Sequence, residues 1–263
     1  MSNALHAEWT KLRTLAGTWW LLLAAAALTI AVSAAAAAAF SCTPNMCTPE
    51  QTGVDPAKLG LTGVAIGQVL IALLAVLAVG GEYGTGMIRL TLTATPRRLT
   101  AFTAKALVTT VAAVAASVLA VGGSAFAGWL ILPARGVTAG NGYVPLTLAN
   151  TADLRAVGGS VLYLTLIALL AFGVTTAVRD SATGIGLVLG LLFLFPLVSA
   201  VIPDHVLARH LEQLAPMTAG LDIQATVGVT SLPLTPWQGL GVTAAWAAGA
   251  LILGATVLRL RDA

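Results

Sequence analysis

Between Trp19 and Phe40 the chain reads WWLLLAAAALTIAVSAAAAAAF, 22 residues without one charged side chain. As an α-helix this run rises about 33 Å, enough to cross the roughly 30 Å hydrocarbon core of a bilayer. Hydrocarbon offers no partner to backbone N–H and C=O groups, so a segment of this kind must satisfy its own and be helical. Five more apolar runs follow, at about 59–81, 101–132, 157–178, 181–202 and 237–258. Composition agrees: 9% of the residues are charged and mean hydropathy is +0.93, against about 25% charged in soluble domains. The expectation is an all-α integral membrane protein: six transmembrane helices in one domain over residues 1–263, with no nucleotide-binding domain.

Six crossings place both termini on one side, and charge selects the side. With the N-terminus inside, nine of the thirteen basic residues are cytoplasmic: Lys11, Arg13, Arg89, Arg97, Arg98, Lys105, Arg179, Arg259 and Arg261. Lys58, Arg135, Arg155 and Arg209 are left outside. Cytoplasmic excess of Lys and Arg sets orientation, so both termini are expected in the cytoplasm. A formal charge of +3 is too small to imply nucleic acid. The abundance of Arg, Ala and Gly over Lys points to a bacterial cell membrane. A secretory signal competes for the first run, but its 22 apolar residues exceed the 7–15 of a signal core.

Before that run, Leu5, Trp9, Leu12 and Ala16 recur at helical spacing, with His6, Glu8, Lys11 and Arg13 on the other faces. The pattern predicts an amphipathic helix lying in the cytoplasmic interface. A plain basic flank would need only Lys11 and Arg13. The first outside loop holds the two cysteines, Cys42 and Cys47. An oxidising compartment would permit a disulfide between them, and spacing leaves that and two free thiols equally open. In the last outside segment, Val206, Leu207, His210, Leu211 and Leu214 predict a short external helix on or dipping into the outer leaflet.

Several chemistries lack their residues. Lys11, Lys58 and Lys105 follow Thr10, Ala57 and Ala104, so there is no Gly-Lys-Ser/Thr phosphate loop. His6, His205 and His210 all lie outside the runs, leaving no nucleophile–base pair in them, and the GGS steps at 122–124 and 158–160 read as packing. No His/Cys set has metal-ligand spacing. Within the expected span limits, from Ala106 onward in the third, no Asp, Glu, Lys or Arg occurs. Ion-coupled carriers commonly place such residues there. The chain is expected to be neither an enzyme nor a holder of cofactor or metal. Gly63/Gly67 and Gly186/Gly190 are small-xxx-small pairs that suit packing within the chain.

The link between the second and third runs, GEYGTGMIRLTLTATPRR at 81–98, is richer than a loop requires. Gly80 and Gly81 are expected to let the chain leave the span, with Glu82 near the N-terminus of a new short helix over about 82–94, where its charge suits the dipole. Met87, Ile88, Leu90 and Leu92 add apolar contact area beside Arg89. Thr95 before Pro96 ends the piece, and Arg97 and Arg98 follow at headgroup level. A merely topogenic loop would not need the apolar residues.

Glu82, Tyr83, Gly86 and Arg89 form E-Y-x-x-G-x-x-R, followed by Thr95, Pro96, Arg97 and Arg98. With LTGVAIGQ at 61–68, LTPWQG at 234–239 and the basic terminal LRLRDA, nearly the whole chain resembles the permease subunits of type-2 ATP-binding-cassette (ABC) exporters. The resemblance implies a membrane half that pairs with a second permease chain, identical or paralogous, and with separate cytoplasmic ABC ATPase subunits. ATP and Mg²⁺ would bind those partners. It also implies that Glu82, Tyr83, Gly86, Met87, Ile88, Arg89, Pro96, Arg97 and Arg98 belong to a coupling segment docking on the ATPase. Drugs, antibiotics, lipids and other amphipaths are the implied substrates. An accessory membrane subunit and a passive channel or secondary carrier independent of ATP are the alternatives.

Overall fold

The computed structural model describes residues 2–14, 16–41, 53–87, 98–147 and 149–260. Ten α-helices and no strand occur among them: α1 Ser2–Thr14, α2 Ala16–Ala39, α3 Pro56–Gly60, α4 Val64–Gly84, α5 Arg98–Ile131, α6 Thr151–Val178, α7 Ser181–Val201, α8 His205–Leu214, α9 Pro216–Leu221 and α10 Pro236–Leu260. Six of these, α2, α4, α5, α6, α7 and α10, are long and apolar enough to cross a membrane. The chain is therefore a multi-pass membrane protein by length and composition. Cys42, Cys47, Ile88, Arg89, Pro96 and Arg97, and the side chains of Leu12 and Arg13, lie outside the described residues.

α6 is the central helix, packed by α4, α5, α7 and α10. Its Tyr163, Leu164, Ile167, Leu170 and Phe172 are almost wholly buried. Small residues set how closely its neighbours come. A Cβ on Gly173 would overlap the Ala250 carbonyl of α10, and one on Gly254 would overlap the Gly173 carbonyl. The backbones therefore touch, as in tightly packed membrane helices. Gly63 and Gly67 seat α4 on Thr29 and Ser33 of α2, with Ser33 accepting from the Gly63 N–H at 3.0 Å. A Cβ on Gly186 or Gly190 would meet nothing within 4 Å, so the packing expected of that second pair is not made among the described residues.

The second run is two helices rather than one. Asp55 caps α3 by accepting from Ala57 and Lys58 N–H groups, with Pro56 in its first turn, as helix starts favour. A turn over 61–63 separates α3 from α4. The same Asp55 carboxylate accepts from the Thr226 N–H and hydroxyl and from the Val227 N–H, tying the segment before α3 to the segment before α10.

That last loop folds back into the bundle. α8 is the short helix expected around Val206 to Leu214, and it has no buried residue. The following α9 and the 3-10 turn Asp222–Gln224 are the unexpected part, with Ala219, Ile223 and Gln224 buried. Ile223 fits the space left by Gly159 of α6, and Gly220 fits against Tyr163 and Thr243. Inserted irregular backbone must find partners in protein. Thr243 donates to the Pro216 carbonyl at 2.9 Å, Trp246 Nε1 to Leu214 at 2.9 Å, and Gln224 to Ser160 Oγ at 3.1 Å.

Candidate functional site

The site begins with where α4 ends. The helix does not stop at Gly80 and Gly81, as the sequence had implied, but continues to Gly84. Gly86, at φ +70°, is the residue that ends it: its N–H bonds to the Tyr83 carbonyl at 3.2 Å, with Thr85 N–H on Gly81 at 3.2 Å. A left-handed residue after a helix is the usual C-terminal stop, and glycine takes it without steric cost. Glu82 therefore sits in the last turn of a spanning helix, not in the first turn of a new one. Its charge there opposes the helix dipole and needs compensation.

Two lysines supply it. Lys105, two turns into α5, pairs with Glu82 Oε1 and lies 3.2 Å from Glu8 Oε2. Lys11 of α1 lies 3.1 Å from Glu82 Oε1 and 3.0 Å from Glu8 Oε1. Glu8, Glu82 and Lys105 are each at most 9% exposed. Among the described residues two acids and two bases thus form a neutral cluster joining α1, α4 and α5, and such a cluster is tolerated in low dielectric only because every charge has an opposite neighbour. Burial works against the Lys11 ammonium, but hydrogen bonds and attraction from Glu8 and Glu82 outweigh it, raising its pKa above the ordinary lysine value.

The N-terminal segment is helical as expected, but its inward side is ionic. Glu8 is buried against the bundle, Leu5 is partly buried and Trp9 is 49% exposed. The heptad-like apolar spacing indicates Leu5 and Trp9 as the anchoring face, and no local pattern could reveal that Glu8 has a partner, Lys105, 97 positions along the chain. The expected absence of ionisable residues inside the spans also changes. With α4 reaching Gly84 and α5 starting at Arg98, Glu82 and Lys105 both belong to spanning helices and both are buried.

The other predicted site residues are placed unevenly. Tyr83 is partly buried, and Met87 is 41% exposed at the end of the described stretch. Arg98 does not sit free at the end of the link: it opens α5 and donates to the Leu258 carbonyl at 3.3 Å. Arg179, the left-handed cap of α6 at φ 64°, donates to Val257 at 3.1 Å. Both guanidinium groups thus meet carbonyls at the C-terminal end of α10, where cations are favoured. Arg179 had entered the sequence reading only as an orientation charge.

A cavity of about 570 Å³ opens beside the cluster, between α1, α2, α4 and α5. The cluster residues form one end, and Leu21, Leu74, Leu77 and Val108 form apolar walls. Its volume lies within the roughly 300–1,000 Å³ of small-molecule sites. Among the described residues no three His, Cys, Asp or Glu side chains come together as a metal site would require. No family model matches the chain, and no curated protein matches it either.

Proposed function

We propose that the chain is the membrane-spanning permease subunit of an ATP-driven exporter, working by alternating access with a second permease chain and with separate cytoplasmic ABC ATPases. The observation carrying this reading is the ionic joint at the base of the 81–98 link. Glu82 on one side of the link and Lys105 on the other are bonded to each other and to α1, so a push on the link reaches three helices together. Arg98 extends the connection to the end of α10. A link that served topology alone would need no such joint.

In this reading α1 lies at the cytoplasmic interface, both termini are cytoplasmic, and the membrane is the bacterial plasma membrane. The half-exposed Trp9, Trp19, Trp20, Trp129 and Trp237 are of the type enriched at interfaces. The faces of Gly186 and Gly190, open among the described residues, suit cover by the second permease. ATP and Mg²⁺ belong to the ATPases, and this chain performs no chemistry itself. A drug, antibiotic, lipid or other amphipath is the fitting cargo.

A tagged wild-type chain co-expressed with an ABC ATPase encoded beside it is expected to retain that ATPase through neutral-detergent extraction and size-exclusion chromatography. Recovery of the permease alone under conditions that keep it folded would contradict the proposal. A secondary carrier is the second reading, and the buried Glu82–Lys105 pair is what favours it, since buried ionisable groups in spanning helices commonly carry coupling protons.

A further inference from the structure

We infer that the cavity between α1, α2, α4 and α5 is a binding site for one phospholipid carrying a primary ammonium headgroup, of the phosphatidylethanolamine class. This stands apart from the exporter proposal, since any multi-pass chain of this fold would hold the lipid the same way. Three observations converge on it. The cavity's four charged groups are the single ion cluster, while Leu21, Leu74, Leu77 and Val108, with Thr109, line the remainder, a division matching a headgroup and an acyl chain. Its apolar walls come from the spanning helices α2, α4 and α5, so its natural occupant is a bilayer component. Finally, the cluster is neutral but not saturated: Glu82 Oε2 is buried with no hydrogen-bond donor, and Lys105 Nζ, held by its ion pairs, is buried with no hydrogen-bond acceptor.

An unsatisfied buried carboxylate oxygen is costly, and the deficiency specifies the ligand. The missing group is a donor, and a charged N–H donor suits a carboxylate best. Glu82 already lines the cavity, and its terminal carboxylate torsion is soft, so a small turn brings Oε2 toward the cavity with the carboxylate still beside Lys11 and Lys105. A primary ammonium then donates to Oε2. The neighbouring phosphate faces Lys11, whose side chain is 31% exposed and already lines the cavity. A zwitterion leaves the neutral cluster neutral. Phosphatidylcholine has the charges but no N–H, and phosphatidylglycerol has hydroxyl donors but brings a net negative charge.

The full-length chain in a neutral detergent, titrated by native mass spectrometry with the three lipids of identical acyl chains, tests this. One saturable phosphatidylethanolamine should bind at least about tenfold tighter than phosphatidylcholine, a ratio equivalent to about 1.4 kcal/mol, and tighter than phosphatidylglycerol. Glu82→Gln should bring phosphatidylethanolamine to the phosphatidylcholine level. Leu77→Trp, which fills the apolar part without touching a charge, should remove the saturable site. Equal binding of the ethanolamine and choline lipids, phosphatidylglycerol binding as tightly as phosphatidylethanolamine, or a preference that survives either substitution would overturn the assignment.

Discussion

Lys105→Ala is expected to lower the stability of the folded chain by about 3–5 kcal/mol, the usual cost of removing one partner from a buried ion pair. The size follows from what is left behind. Lys105 contacts both Glu82 and Glu8, so its loss leaves two buried carboxylates sharing Lys11 alone among the described residues, with one negative charge in excess there. The excess sits in the last turn of α4, where the helix dipole adds to the repulsion. Removing an acid at the same time restores neutrality, so Lys105→Ala with Glu82→Gln should recover more than half of the loss. Lys58→Ala, at an exposed position, should change stability by no more than about 0.5 kcal/mol. Thermal unfolding in one detergent, followed by helical circular dichroism, measures all three. A Lys105→Ala chain as stable as the Lys58→Ala chain would show that the cluster contributes nothing to the fold.

The second large effect concerns the link. Met87→Asp with Arg89→Glu is expected to abolish association with the ATPase while membrane insertion and thermal stability stay near wild type. Met87 is already 41% exposed, so an acid there costs the fold little. At a docking surface the same change buries an unpaired carboxylate, and reversing Arg89 repels any acidic partner surface that an arginine there would attract. Each such contact is worth about 2 kcal/mol or more at an interface centre. Two together correspond to roughly a thousandfold in affinity. Co-purification of the tagged double variant with the ATPase reads the result directly, and undiminished recovery of the ATPase would remove the link from the interface.

The six spans were legible because their signal is local: about twenty apolar residues in a row admit few other folds. What could not be read was local in sequence yet decided by distant partners. An acid beside two glycines reads as the edge of a span, yet Glu82 is tolerated in the last turn of a spanning helix because Lys105 and Lys11 are brought to it. The sequence 215–224 mixes Pro, Gly, Asp and Gln and carries no apolar period. It is buried because Gly159 leaves room for Ile223, and because Thr243 and Ser160 satisfy the inserted polar groups. Asp55 shows the same limit, since its capping role can be read from Asp-Pro but its bonds to Thr226 and Val227 cannot. In the candidate site, Lys11 and Glu82 were recognised for charge and motif, whereas Glu8 and Lys105 were seen without their purpose.

The exporter and carrier readings divide on where energy enters, and transport in proteoliposomes measures that. With the permease and its ATPase reconstituted together, uptake of a fluorescent amphipath into inverted vesicles should require Mg-ATP, be lost in the Met87→Asp/Arg89→Glu variant and be unaffected when the proton gradient is collapsed. Uptake by the permease alone that follows an imposed proton gradient and ignores ATP would contradict the account.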